Sequence, residues 1–248
     1  MMSLSGEPPD GTRGSPHGAV REHLLWARRN HPVTTQGRGV MRVLYGSMHR
    51  ANDNGVMHVT SINVGKARRI SVGARTVMSA IGKRPVAGRI DVLPLGLVGD
   101  EQADLSVHGG LSKAVYAYPS EHFDFWCTVR AQAGVALWDT ALEPGALGEN
   151  LTLAGLTEDH TWVGDVLRFP RCALAVSEPR QPCFKFNAAM GFAQAAKLMV
   201  QSGWCGFYLA VRQPGSIEAG ESFVVEPGPR EVRIDELFRA TSSSRHAA

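Results

Sequence analysis

The segment SEPRQPCFKF, residues 177–186, places a cysteine directly after Pro182 and between two basic residues. Proline fixes its own φ and lacks an amide hydrogen, so Cys183 is predicted to sit in a stiff turn at the end of a strand. Arg180 and Lys185 are near enough in sequence to favour the thiolate, the form that binds metals and attacks electrophiles. The segment therefore indicates a reactive or metal-binding thiol. The alternative is a small buried hydrophobic cysteine.

A second polar segment, GDEQADLSVHGGLSKAVYAYP at residues 99–119, contains His108 followed by Gly109 and Gly110. A Gly-Gly turn can bring backbone N–H groups close to an anionic ligand. The alternative is an ordinary hairpin loop in which His108 is solvated. On its own the segment does not decide between the two.

Two shorter segments carry further polar candidates. AIGKRPVAGRI, residues 80–90, contains Lys83 between a glycine and a proline. GALGENLTLAGL, residues 145–156, contains Asn150 and Thr152 at a turn into a strand. Taken alone, both segments are typical of turns. The sequence shows no dinucleotide-binding glycine motif after a strand, no P-loop and no nucleophile elbow.

Short strand-like runs broken by glycine and proline dominate the chain from Met57 onward. Helical patterns are predicted at 120–134, with Ser120 as N-cap, and at 188–203, ending on Gly203. Many closely spaced strands with few helices predict a mainly β, α+β fold with a barrel-like sheet and not a doubly wound one. The predicted strands are 57–64, 75–81, 88–99, 113–119, 149–155, 164–170, 172–178, 205–213 and 221–227.

The domain organisation follows from composition. Residues 1–56 are rich in Gly, Pro and Ser and lack hydrophobic periodicity, which predicts a poorly ordered N-terminal extension. One folded domain is expected over residues 57–227. Residues 228–248 are expected to form a short C-terminal tail with one helix.

Charge and cysteine usage exclude several classes of protein. Residues 1–56 hold seven basic and four acidic residues, a balance of +3 that equals the net charge of the whole chain. The remaining 19 basic and 19 acidic residues cancel, so no basic domain indicates nucleic-acid binding. No apolar stretch of about 18 residues predicts a membrane span. The four cysteines lack zinc or disulfide spacing, and we expect a cytoplasmic protein.

The order of these segments resembles the MOSC domain family, named for the C-terminal region of molybdenum-cofactor sulfurases, and in particular its YiiM-like branch. The resemblance covers about residues 57–227. It rests on KRPVAG at 83–88, the GD…HGG…KAV…Y run at 99–116, GENLT at 148–152, GD at 164–165 and RQPCFK at 180–185.

The resemblance implies a β-barrel-rich fold that binds a molybdenum cofactor (molybdopterin), with Cys183 as the metal ligand. It implies an enzyme that reduces small N-hydroxylated substrates, such as hydroxylaminopurines or amidoximes. A separate flavin or haem protein would donate the electrons. A non-redox carrier of sulfur or molybdenum cofactor, using a Cys183 persulfide, is the alternative, and a purely structural module is a third.

The resemblance also implies roles for the polar residues. Lys83, Arg180 and Lys185 would contact the cofactor phosphate or the substrate. His108 would line the pocket beside Gly109 and Gly110 and donate protons, and Asn150 and Thr152 would contribute hydrogen bonds.

Two further expectations concern what surrounds the domain. Pyridoxal phosphate is linked to the family through a separate aminotransferase-like half, which is absent from this sequence, so we expect no such cofactor here. YiiM-like proteins often carry a three-helix unit after the barrel. This unit is expected to be absent here or reduced to VRIDELFRA, which bears on substrate range and on formation of a homodimer.

Overall fold

The computed structural model describes residues 56–103 and 109–244. The predicted extension over residues 1–56 lies outside the described residues except for Val56, and His108 lies outside them as well.

The described residues form a mainly β structure with four α-helices, which confirms the predicted α+β class. The helices are α1 (Phe123–Gln132), α2 (Phe184–Met190), α3 (Ala195–Ser202) and α4 (Ile234–Ser244). The strands are β1 (His58–Val64), β2 (Arg68–Val72), β3 (Arg75–Ser79), β4 (Arg84–Pro85), β5 (Ile90–Leu93), β6 (Gly96–Leu97), β7 (Val115–Pro119), β8 (Leu151–Ala154), β9 (Val166–Arg168), β10 (Ala173–Pro179), β11 (Phe207–Gln213), β12 (Gly215–Ile217) and β13 (Val224–Glu226).

Eight strands form the main sheet in the order β13-β9-β10-β11-β7-β8-β1-β4, and only the β7–β8 pair in this sheet is parallel. The start of β1 also pairs with the segment that leads into β13. Val59 N–H donates to the Glu221 carbonyl at 3.0 Å, and Phe223 N–H donates to the Met57 carbonyl at 3.0 Å. These bonds join β1, which lies next to one end of the sheet, to the segment before β13 at the other end, so the sheet is barrel-like as predicted.

The core lies inside this curved sheet and beneath α1. Trp126 on α1 is fully buried, and its indole Nε1 donates to the Tyr118 hydroxyl at 2.6 Å. The same hydroxyl donates to the Trp204 carbonyl at 3.1 Å. The large aromatic side chains therefore bury their area without leaving their polar atoms unpaired. None of the helices in the described residues is long and apolar enough to span a bilayer.

Three predicted elements differ in the structure. The strand predicted at 88–99 is the tight hairpin β5–β6, because the chain reverses at Pro94 and Gly96 has a φ of +132°. Ser120 begins a 3-10 turn, and the residue that caps α1 is His122. The helix predicted at 188–203 is two helices, α2 and α3, because Gly191 adopts a φ of +84° and ends α2.

The sequence patterns missed β2, which pairs with β3 in a separate two-stranded hairpin. The turn between them is Gly73-Ala74, and Gly73 has a φ of +59°. A positive φ at the first of two turn residues is typical of the type II′ turn, whose twist matches that of the flanking strands. The tail helix was predicted and is present as α4.

Close backbone approach at Gly206, just before β11, generates a stability prediction. Gly206 has a φ of +64°, and a Cβ there would lie 2.4 Å from the Ala117 carbonyl oxygen. Gly134 has a similar φ of +69° but no atom within 4 Å of the Cβ position. We expect Gly206→Ala to lower the free energy of unfolding by roughly 3 kcal/mol or more, and Gly134→Ala by about 1 kcal/mol. Urea unfolding of both variants checks this. Equal losses would mean that backbone conformation, not the contact with Ala117, sets the cost.

Candidate functional site

A cavity opens where the ends of several strands meet. It is lined by residues from five segments that are distant in sequence, namely 79–83, 100–103, 109–116, 148–150 and 180–185, together with Tyr208. Four of these segments contain the motifs singled out in the sequence, and the fifth, 100–103, belongs to the same long run as His108. The fold therefore gathers the predicted segments at one place.

Cys183 lies on the cavity wall at the junction of β10 and α2. It is the N-cap residue of α2, with an extended φ of −128°, and its carbonyl accepts the Phe186 N–H at 2.9 Å. Its side chain is half-buried. The stiff turn predicted from Pro182 is thus followed directly by α2, which begins at Phe184. The sequence analysis expected this helix to begin four residues later, at residue 188.

Arg180 carries a buried positive charge on the same wall, with 4% of its surface exposed. Its guanidinium lies 5.3 Å from the centroid of the Tyr116 ring and 4.6 Å from that of Phe186, and Nη1 donates to Met199 Sδ at 3.3 Å. None of the described carboxylates forms an ion pair with it. A buried cation held by aromatic faces and a thioether, without a carboxylate among the described residues, is suited to an anionic ligand.

Lys83 and Asp100, which also line the cavity, form a buried ion pair. Asp100 also accepts hydrogen bonds from the Gly65 N–H at 2.8 Å and from Asn150 Nδ2 at 2.9 Å. Burial lowers the pKa of Lys83, and the charge of Asp100 partly opposes this shift. The pair therefore places an ammonium with a lowered pKa at the cavity surface.

The Glu149 carboxylate lies beneath the cavity and is fully buried. It accepts hydrogen bonds from the Gly145 N–H at 2.5 Å, the Leu147 N–H at 3.1 Å and the Thr152 hydroxyl at 3.0 Å. Burial raises the pKa of Glu149 to about 7, against the opposing effect of these bonds. Glu149 thus fixes the turn that presents Asn150.

The predicted site residues fall into four groups. Thr152 is buried below the cavity, where its hydroxyl accepts from Asn63 Nδ2 at 3.2 Å, and it does not line the cavity. Gly110 is adjacent to the lining, and its N–H donates to Gln102 Oε1 at 3.0 Å. His108 lies outside the described residues. The structure brings together Lys83, Gly109, Asn150, Arg180, Cys183 and Lys185.

The sequence analysis missed several lining residues, among them Asp100, Lys113, Tyr116 and Tyr208. Lys113 and Tyr116 belong to the HGG…KAV…Y run, and their type and position in that run could have indicated that they line the site. Tyr208 has no local signal. It reaches the cavity because β11 pairs with β7, which sets the Tyr208 ring 5.4 Å from the Tyr116 ring.

The three other cysteines lie in the core or pack against it. Cys172 and Cys205 are buried, and burial raises the pKa of Cys172 to about 11. Burial also raises the pKa of Cys205 well above its ordinary value. Cys127 on α1 is half-buried and packs against the core.

Comparison with known proteins decides the family. The MOSC domain matches residues 104–224. The uncharacterized protein YflK of Bacillus subtilis is 37% identical over 162 residues, which cover 65% of this chain and 70% of that protein. Protein YiiM of Escherichia coli is 35% identical over 158 residues, covering 64% of this chain and 68% of that one. The chain belongs to the MOSC domain family.

Solved structures support the MOSC assignment. The crystal structure of YiiM from Geobacillus stearothermophilus matches with a TM-score of 0.60 at 35% identity, covering 76% of this chain and 85% of that one.

A protein of Gibberella moniliformis named Reductase is 30% identical over 190 residues, which cover 74% of this chain and 32% of that longer protein. The resemblance seen in the sequence is thus confirmed, for the family and for its YiiM-like branch.

Burial of Glu149 generates a prediction about pH and stability. Its folded pKa of about 7 lies above the ordinary glutamate value of 4.5. Its contribution to stability is therefore greatest below pH 4.5, where it is protonated in both states, and is lost as the pH rises through 7. We expect the free energy of unfolding of the wild type, minus that of Glu149→Gln, to fall by on the order of 3 kcal/mol between pH 4.5 and 7.5.

Urea unfolding of both proteins at several pH values measures this difference. Glu121→Gln serves as the matched control, because Glu121 is exposed. A difference between wild type and Glu149→Gln that stays constant with pH would contradict the raised pKa of Glu149.

Proposed function

We propose that this MOSC protein binds a molybdenum–pterin cofactor in the cavity and reduces N-hydroxylated compounds, with Cys183 as the metal ligand. The observation that carries the proposal is the meeting of one thiol, Cys183, with the buried cation of Arg180 in a single cavity. A soft thiolate suits a redox metal, and a buried guanidinium suits the phosphate of an organic cofactor.

The donor set fits a metal that arrives with an organic cofactor. Within residues 56–103 and 109–244, no three His, Cys, Asp or Glu side chains are grouped as metal ligands. Cys183 would therefore supply one ligand, and the remaining ligands would belong to the cofactor. Arg180 and Lys185 would hold the cofactor's anionic group through charge-assisted hydrogen bonds.

The cofactor, when bound, supplies the two-electron chemistry that breaks an N–O bond. The substrate R–NH–OH takes up two electrons and two protons and yields R–NH₂ and water. Lys83 would donate one proton from Nζ, since burial lowers its pKa and Asp100 orients it. His108, in the loop next to Gly109, remains our candidate for the second proton. Asn150 would orient Asp100 through its 2.9 Å hydrogen bond.

The family gives independent support for redox chemistry. MOSC domains are associated with the molybdenum cofactor, and the fungal relative is named a reductase. Neither fact names a substrate for this chain. The N-hydroxylated class rests on the resemblance to the YiiM-like branch and on the proton donors of the cavity.

Elemental analysis tests the role of Cys183. We expect protein from a cofactor-producing host to contain about one molybdenum atom per chain and Cys183→Ser to contain little. Cys127→Ser is the matched control, because Cys127 lies on α1 and does not line the described cavity. Far-ultraviolet circular dichroism checks that all three are folded. Absence of molybdenum from the wild type would refute the proposal.

Arg180 provides a test that separates binding from folding. Arg180→Met is expected to weaken cofactor retention at least tenfold, because a charge-assisted hydrogen bond contributes about 1.5–3 kcal/mol. The variant should be no less stable than wild-type apoprotein, because it removes a buried charge that lacks a described carboxylate partner. Arg180→Lys should retain part of the binding. Reduced stability of Arg180→Met together with unchanged cofactor retention would assign Arg180 a structural role.

A second candidate function follows from Cys183 being the one cysteine in the described cavity lining. A carrier would hold a persulfide there and pass sulfur or cofactor to another protein. Cyanolysis of purified protein detects sulfane sulfur. A stoichiometric signal that is lost in Cys183→Ser, in protein without molybdenum, would favour the carrier over the reductase.

A further inference from the structure

The neutral charge of the folded part conceals a strong separation of charge. Residues 65–90 contain seven basic and no acidic residues. The rest of residues 57–248 contains twelve basic and nineteen acidic residues, a balance of −7. The domain is therefore neutral only as the sum of one basic segment and an acidic remainder.

The basic hairpin, residues 66–84, consists of β2, β3 and the segment that leads into β4. Four arginines of the hairpin are exposed, and none of them forms an ion pair with a carboxylate of the described residues: Arg68, Arg69, Arg75 and Arg84. Lys66 is paired with Glu101 at 3.1 Å. The hairpin thus presents four guanidinium groups to solvent without carboxylate partners among the described residues.

The base of the basic hairpin forms part of the cavity wall. Ser79, the last residue of β3, lines the cavity, and so does Glu101, which accepts the Ala67 N–H at 2.8 Å. The tip at Arg75 is four residues from Ser79, or about 14 Å at the rise of an antiparallel strand. A protein of ordinary size that contacts the hairpin would therefore stand beside the cavity.

We propose that the basic hairpin is the docking surface for a small acidic redox protein of the flavodoxin or haem type. This inference rests on the proposed function, because reduction of an N–O bond consumes two electrons per turnover. The donor must approach the cavity and leave again after each transfer. Such transient complexes have small interfaces, and complementary charge raises their rate of association.

The composition of the hairpin favours a protein partner over a nucleic acid. Residues 66–84 contain no aromatic side chain on which bases could stack. Met78 is exposed and is the cross-strand partner of Arg69, so an apolar contact lies beside a charged one on the same face. An extended polyanion would also meet the acidic remainder of the domain, whereas a compact partner can contact the hairpin alone.

The test compares two variants with equal changes in charge. Arg69→Glu/Arg75→Glu alters the hairpin. Lys197→Glu/Arg212→Glu alters exposed residues on α3 and β11 by the same amount. Reduction of a hydroxylamine substrate is driven first by reduced methyl viologen, then by a reduced acidic flavodoxin and by a reduced acidic cytochrome b5-type domain.

We expect the hairpin variant to lose at least tenfold in kcat/KM for the acidic donors at low salt, and the control variant to lose less than twofold. The loss should shrink in 0.5 M salt, where charge is screened. Dye-driven turnover should be unchanged in both. Equal losses in the two variants, or a loss that does not depend on salt with either donor, would overturn the proposal. The test does not require the natural donor, because electrostatic steering acts at long range and needs no specific contacts.

Direct binding keeps this inference separable from the proposed function. Titration of the apoprotein with oxidised flavodoxin requires no turnover. If dye-driven reduction fails in the wild type, the reductase proposal falls, and with it the role of the hairpin in electron delivery. If reduction succeeds but the hairpin variant binds flavodoxin as the wild type does, only the docking surface is refuted. Loss of duplex DNA binding in the hairpin variant, with donor coupling unchanged, would reassign the hairpin to nucleic acid.

Discussion

The cavity depends on one buried carboxylate. Asp100 accepts hydrogen bonds from the Lys83 ammonium, the Gly65 N–H and the Asn150 amide, which come from separate stretches of the chain. Asn150 in turn accepts the Tyr116 N–H at 3.1 Å. Because each bond is made away from bulk water, the loss of Asp100 would leave several buried donors unpaired at once. The site is therefore assembled around a polar hub and not around an apolar cluster.

The same cavity contains a charge whose burial opposes stability. Arg180 is surrounded by rings and a thioether, and no described carboxylate neutralises it. Desolvation of such a cation costs free energy that packing alone recovers only in part. An anionic ligand would supply the missing interaction, so the free energy of ligand binding and the stability of the fold are linked at this residue. Glu149 adds a buried carboxyl group whose protonation changes near neutral pH.

Charge separation links this site to the outside of the molecule. The basic hairpin is a small sheet of its own, and only its base belongs to the cavity wall. Its arginines make no ion pairs with the described carboxylates, while the acidic residues of the domain lie elsewhere along the chain. The proposed reductase would need an external electron donor, and complementary charge on the basic hairpin would raise the rate at which that donor encounters the site.

The sequence by itself determined the fold class, the family and most of the site segments, because glycine, proline and polar residues at fixed spacings report local backbone geometry directly. It placed Cys183, Arg180, Lys83 and Asn150 among the candidates. Only the tertiary structure showed that Thr152 lies beneath the cavity, that Tyr208 lines it, and that the arginines of β2 and β3 stand beside it. These facts depend on which strands pair and in what register. Strand pairing is a long-range choice made by the packing of the whole core, and no local pattern encodes it.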